Sequence, residues 1–151
     1  MMTGPTRASP IEHALREAYL AAERGEVPIG AVVVGPDGAI LAEAGNRTKG
    51  ACDPTAHAEM VAIRTAAATL GMSRLVGCDL YVTLEPCPMC AQAISFARIR
   101  RLFWGAADPK GGGIEHGPRI FDQPTCHHKP ELYPGLCERE AGELLLAFFK
   151  A

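Results

Sequence analysis

The 151-residue chain has no long apolar run: its longest, at 31–34 and 144–149, fall far short of the ~20 residues a membrane-spanning helix needs. That excludes a helical membrane protein. It also lacks charge excess, with 15 Lys and Arg against 17 Asp and Glu and a net charge of -2. A broad, nonspecific nucleic-acid binder wants a basic surface, so that class is set aside, although a small local contact with RNA is not. The first eight residues lack the apolar core of a signal peptide. They are expected to form a disordered tail on a cytoplasmic protein, leaving 9–151 as a single domain. Internal repeats and low-complexity tracts are missing too, and no second closely spaced cysteine pair accompanies Cys87 and Cys90.

What is present reads as an ordinary folded domain, 48% hydrophobic and 21% charged. A chain of this length buries roughly 70% of its unfolded surface and needs no covalent staples. The six cysteines (Cys52, Cys78, Cys87, Cys90, Cys126 and Cys137) are therefore expected as free thiols. Ser9 and Pro10 suit the start of a helix whose apolar face repeats at Ile11, Ala14, Leu15, Ala18 and Ala22, with Gly25 as its stop. Residues 28–34 and 39–44, around the turn Gly35-Pro36-Asp37-Gly38, read as a strand hairpin. Helix over 56–70 follows, capped by Thr55 or Asp53 and ended by Gly71. Strand 79–84, a helix from Pro86 or Pro88 to about 97, and strand 101–105 come next. Residues 106–135 break into Gly, Pro and polar residues, and a loop of that length in a small domain is usually functional. A short edge strand near 129–133 and a last helix over 137–150, with Ala141, Leu144, Leu145 and Phe148 inward, complete the pattern. Strand–helix–strand after a hairpin implies an α/β fold with a mixed five-stranded sheet and helices on both faces, three layers in all.

Two stretches carry the chemistry: Thr55-Ala56-His57-Ala58-Glu59 and Glu85-Pro86-Cys87-Pro88-Met89-Cys90. Cys87-x-x-Cys90 alone fits a redox pair, half a zinc finger or two buried thiols, and His57 alone fits a core or capping histidine. Together they supply three zinc ligands, whereas a structural zinc site closes its tetrahedron with four. An open fourth position belongs to water, and Glu59 is then the carboxylate that moves its proton. Two residues apart on a regular helix, His57 and Glu59 would face opposite sides, so His57 must sit at the opening turn. Glu85, between a strand end and two prolines, reads as an acceptor for backbone donors. Asn46 beside Arg47 fits either a contact to base or sugar or a left-handed turn. Arg98, Arg100 and Arg101 fit either phosphate contacts or a solvated face. The chain is read as a hydrolytic zinc enzyme.

The two stretches match the H-x-E…P-C-x-x-C signature of the zinc-dependent cytidine deaminase superfamily. The resemblance extends through Glu26-Val27-Pro28-Ile29-Gly30, Gly45-Asn46-Arg47, Tyr81-Val82-Thr83-Leu84, Ala97-Arg98-Ile99, Gly105-Ala106-x-Asp108-x-Lys110-x-Gly112 and Phe148-Phe149. Over residues 10–150 it is similar to the bacterial tRNA-specific adenosine deaminases. The resemblance implies conversion of adenosine to inosine at the wobble position of a tRNA anticodon, with one zinc per subunit held by His57, Cys87 and Cys90. It implies Glu59 as proton shuttle, and Asn46 with a Pro28-Ile29 wall around the flipped nucleoside. Ala58, Glu85 and Pro86 join them beside the base, while Asp108, Lys110, Phe148 and Phe149 meet flanking nucleotides of the anticodon stem-loop. It also implies a homodimer. Two segments depart from the family pattern, Gly113-Ile114-Glu115-His116 and Cys126-His127-His128. The alternative is a deaminase of free guanine, cytosine or their nucleosides on the same fold; a non-catalytic zinc module would have no use for Glu59.

Overall fold

In the computed structural model, which describes residues 8–150, Pro10 occupies the first turn of helix α1 (Pro10–Glu23), with Ser9 as its N-cap. A proline there removes an N–H that would have no helical partner. Apart from Ala8, the tail expected over 1–8 lies outside the described residues. Strand β1 (Gly30–Val34), apolar on both sides, is buried along its whole length. It lies between β2 (Ile40–Gly45) and β3 (Asp79–Leu84), antiparallel to both. Strands β4 (Arg101–Ala106) and β5 (Glu131–Tyr133) then add in parallel, giving the order β2-β1-β3-β4-β5. The sheet is mixed and five-stranded, as the hairpin and the later strand–helix–strand pattern imply.

Helices α2 (Ala58–Leu70) and α3 (Pro88–Phe96) cover one face. There Ala58, Ala62, Ala66, Ala91 and Ile94 meet Val33, Leu80, Val82, Leu102 and Trp104 in the main core. On the other face α1 packs through Ile11 and Ala14 on Val32 and Val34. Its small stripe of Ala14, Ala18 and Ala21 lets it sit close to the sheet, and two paired glycines accept it. A Cβ on Gly30 would lie 2.7 Å from Ala18 N, and one on Gly45 2.8 Å from Glu17 O. Helix α4 (Glu138–Lys150) shares that face: a Cβ on Gly105 would meet the Ala141 side chain at 3.1 Å. Ala141 is the only α4 residue fully buried among those described; Leu144, Leu145 and Phe148 are half-buried.

Some boundaries differ from the sequence reading, each for a physical reason. Helix α2 starts at Ala58, not Ala56, and its cap is His57. Asp53 and Thr55 instead close a local turn, in which Asp53 Oδ1 accepts from Thr55 N (2.9 Å) and Thr55 Oγ1 (2.7 Å). Helix α3 takes Pro88 at its first turn, leaving Pro86 outside. In the Arg98–Arg100–Arg101 cluster, two of the three side chains are paired with one buried carboxylate. Arg100 grips Asp79 with Nε and Nη2, both at 3.1 Å, and Arg101 Nε reaches it at 3.2 Å. Arg98 donates to Ser95 O. These clamps fix the start of the parallel β3–β4 pair.

Because α1 and the sheet are already in backbone contact at Gly30, Gly30→Ala has nowhere to put its methyl. Its unfolding midpoint in urea is expected to fall by an amount worth about 1–3 kcal/mol, with the denaturant slope unchanged.

Candidate metal centre

Two helix starts meet at one end of the sheet. His57 is the N-cap of α2 and Cys87 the N-cap of α3, both in extended conformation, and neither side chain makes a capping hydrogen bond. Their donor atoms are turned to one another instead. Cys87 Sγ and Cys90 Sγ each lie 3.5 Å from His57 Nδ1, and the three ligand atoms are all within 4.8 Å of one another. Tetrahedral zinc, with bonds of ~2.3 Å to sulfur and ~2.0–2.1 Å to nitrogen, sets N···S edges of about 3.5 Å. The donor set therefore fits zinc in both chemistry and spacing. Among the described residues the cluster has three ligands, which is the count of a catalytic site.

His57 at ψ 153 stands outside the helical stagger, which lets it and Glu59 face one centre although they are only two positions apart. Glu59, in the first turn of α2, is 4% exposed. Burial pushes its carboxyl up to about 7, and the negative charge on Cys87 adds to the rise. Cys87 is drawn down to about 4, chiefly because the Cys90 thiol donates to it and then because of the His57 imidazole, while burial opposes. Cys90, holding that proton and buried, is pushed up. His57 is raised by its bond to the Cys87 sulfur. Helix N-termini favour thiolate, and metal binding requires both sulfurs as thiolates.

Around this centre the loops are held by buried groups. Glu85, whose side chain is fully buried, accepts N–H from Asp108 (3.1 Å) on Oε1 and from Ile114 (3.2 Å), Glu115 (3.0 Å) and His116 (3.2 Å) on Oε2. His116 Nδ1 adds a bond of 2.8 Å. The loop closes onto the cysteine segment through Gly113 N to Pro86 O at 2.8 Å, and a Cβ on Gly113 would sit 2.5 Å from Pro88 N. Glu115 and His116, unassigned from sequence, are thus anchors of the loop carrying Asp108 and Lys110. Nothing local in sequence pairs Glu85 with residues some thirty positions on. Cys126-His127-His128 joins no metal cluster among the described residues: Cys126 Sγ and Ser95 Oγ both donate to His128 O, and His128 Nε2 bonds Ile99 O at 2.7 Å. All six cysteines are free.

The remaining residues singled out in the sequence fall in three places. Asn46 is buried: its backbone N–H bonds Ile29 O (3.1 Å), while Arg47 N bonds Ala56 O (3.0 Å), one residue before His57. Ile29 is half-buried, whereas Pro28, Ala58 and Pro86 are enclosed. Asp108, Lys110 and Phe149 line a recess of about 510 Å³ with Leu84, Ala107, Leu145 and Leu146. Asp108 also caps its own turn, accepting from Gly111 N at 2.9 Å. Phe148 lies edge-on to Phe149, with ring centroids 5.3 Å apart, and does not line that recess.

Two expectations follow. Purified protein should carry zinc at one per chain, and His57→Ala, Cys87→Ala or Cys90→Ala should each abolish it by elemental analysis. Glu85 would be raised by burial, but its backbone and His116 donors hold it below the usual carboxylate value of 4.5. Its contribution to stability is therefore complete above pH 4.5 and is lost as pH falls through the lower folded value. Glu85→Gln should destabilise the protein at pH 7, by a margin that shrinks in acid as the wild type loses its advantage.

Residues 7–106 match the family model described as the cytidine and deoxycytidylate deaminase zinc-binding region. The chain is 61% identical over 140 residues to a tRNA-specific adenosine deaminase of Agrobacterium fabrum, covering 93% of this chain and 91% of that one. It is 49% identical over 139 residues to the tRNA-specific adenosine deaminase of Aquifex aeolicus, covering 91% and 89%. A solved structure from work on A-to-I editing by tRNA:A34 deaminases at the wobble position of transfer RNA superposes with a TM-score of 0.89 at 61% identity, over 92% of this chain and 100% of that one. Five strands and four helices in this order, a three-ligand zinc centre and this level of identity agree: the chain belongs to the cytidine and deoxycytidylate deaminase zinc family and, within it, to the tRNA-specific adenosine deaminases.

Proposed function

We propose that this enzyme converts adenosine to inosine at the wobble position of a tRNA anticodon and releases ammonia, with Glu59 as its catalytic acid and base. The observation that carries the reading is the placement of buried Glu59 two residues from the cap that presents His57 to the metal. Zinc held by His57, Cys87 and Cys90 supplies Lewis acidity and makes water a better nucleophile. Two thiolates and a neutral imidazole cancel the charge of Zn²⁺, so more of the proton transfer falls to the carboxylate.

Glu59 takes the proton of the attacking water as the oxygen bonds to the carbon bearing the amino group, and delivers it to the adjacent ring nitrogen. A second transfer from the new hydroxyl to the amino group breaks the C–N bond. Ammonia leaves and the ring retains the carbonyl of inosine. Burial beside the metal position lets one carboxylate both take the proton from water and return it to the base. The base must leave its stack to reach the centre. Asn46 and Ile29 hold it, and the recess of Asp108, Lys110 and Phe149 takes a flanking nucleotide, with the Lys110 cation near phosphate. Glu85 acts from behind, by fixing the loop. The enzyme works as a homodimer in the cytoplasm, where its RNA is; no described helix is long and apolar enough to cross a membrane.

The test offers zinc-loaded protein an anticodon stem-loop with a wobble adenosine and, separately, free guanine, cytosine, adenine and their nucleosides, with ammonia and inosine as readouts. Conversion of the stem-loop alone is expected. Glu59→Ala should lose about 10²–10⁴-fold or more in rate while keeping one zinc per chain. Turnover of a free base with the RNA inert would replace the substrate assignment and leave the zinc and Glu59 chemistry in place.

A further inference from the structure

Glu26 has no part in the reaction just described, yet it is 3% exposed in the turn after α1. A buried carboxylate needs donors, and this one collects them from a single loop. Gly50 N donates to Oε2 at 2.7 Å and Lys49 N to Oε1 at 3.2 Å. Thr48 Oγ1 and Asn46 Nδ2 both face Oε1 at 3.5 Å, and Asn46 Nδ2 lies 3.4 Å from Thr48 Oγ1. Arg24 Nη2 completes the clasp by donating to Asn46 O at 3.1 Å. Burial would raise the Glu26 carboxyl, but the Gly50, Lys49 and Thr48 donors and the Arg24 charge together hold it below its ordinary value. It is ionised, and an ionised carboxylate only accepts hydrogen bonds.

That constraint reaches Asn46. Its carboxamide has a donor end and an acceptor end of nearly the same shape, and shape alone does not choose between them. The charge on Glu26 does, because turning the amide round would set Oδ1 against a carboxylate. The nitrogen therefore faces Glu26 and Thr48, and Oδ1 is directed away from them. The backbone at the same time ties Asn46 to Ile29 and Arg47 to Ala56, beside His57.

We propose that Glu26 is a positioning and specificity-determining residue: it fixes the polarity of the Asn46 carboxamide and thereby the hydrogen-bonding pattern offered to the base or ribose. The inference rests on the reading of Asn46 as a substrate contact. A site that presents a fixed donor–acceptor pattern rejects mismatched ligands strongly, since its buried polar groups are left unpaired. Glu26→Gln keeps the shape but lets its own amide donate to Asn46 Oδ1, which frees the carboxamide to turn.

The test is a double-mutant cycle of Glu26→Gln and Asn46→Ala on the zinc-loaded full chain. It measures kcat and KM for stem-loops carrying adenosine or cytidine at the wobble position. Glu26→Gln is expected to keep one zinc per chain, to lower kcat/KM for adenosine by about tenfold or more, and to shrink the preference for adenosine over cytidine. In the Asn46→Ala background it should have no further effect. Thr48→Val, which spares the Gly50 and Lys49 bonds, should give a smaller fall with the same non-additivity, and decides the matter if Glu26→Gln does not fold. Equal losses from Glu26→Gln with and without Asn46 would overturn the inference and leave Asn46 as a contact. An active Asn46→Ala enzyme would instead overturn the substrate role of Asn46 on which the inference stands.

Discussion

The meeting of two helix N-termini is the constraint on which the rest of the structure depends. A helix start leaves backbone N–H groups unsatisfied and carries a partial positive charge, and most proteins spend the N-cap side chain on that need. Here both caps, His57 and Cys87, withhold their side chains from the helices and turn them to a shared metal position. The positive ends make thiolate easier to hold, so the same geometry that leaves the helices uncapped prepares the ligands. For the two starts to meet, α2 and α3 must lie side by side on one face of the sheet, and small residues at Ala58, Ala62, Ala66 and Ala91 allow it.

Buried carboxylates organise what surrounds the centre. Glu85 gathers four backbone N–H groups from residues 108–116, and Glu26 gathers two from residues 49 and 50 together with side chains at 46 and 48. Each pins one loop beside the metal position. Glu59 differs from both: it is buried without such a set of loop donors, and its pKa rises where theirs fall. Burial without loop donors sets Glu59 apart from the two glutamates that the loops hold as anions, and environment in this way distinguishes identical side chains.

Much of this was legible in the chain because it is written in short spacings. His57 with Glu59 and Cys87 with Cys90 lie within a helical turn of each other, and the bounds of β3 match the strand read over 79–84 around Leu80, Tyr81, Val82 and Leu84. The cap of α2 was misread because Thr55 and Asp53 have better capping chemistry than histidine; metal coordination is a long-range reason that local propensity does not contain. The pairing of Arg100 and Arg101 is not marked in the sequence because Asp79, their partner, lies about twenty residues upstream. The pairing of Glu85 with His116 and of Glu26 with Asn46 spans 31 and 20 residues, and no periodicity marks such contacts. Pro28, read as part of the substrate wall, is enclosed, which leaves the exposed surface there to Ile29.

The central claim is that the chain supplies three ligands and leaves one position for the reacting water. X-ray absorption at the zinc edge of the purified enzyme tests it most directly. Two sulfur neighbours at ~2.3 Å and two nitrogen or oxygen neighbours at ~2.0–2.1 Å, one of them imidazole and the other exchangeable with solvent, is the predicted shell. Three or four sulfur neighbours would contradict the account, since the zinc would then be a closed structural ion with no place for water.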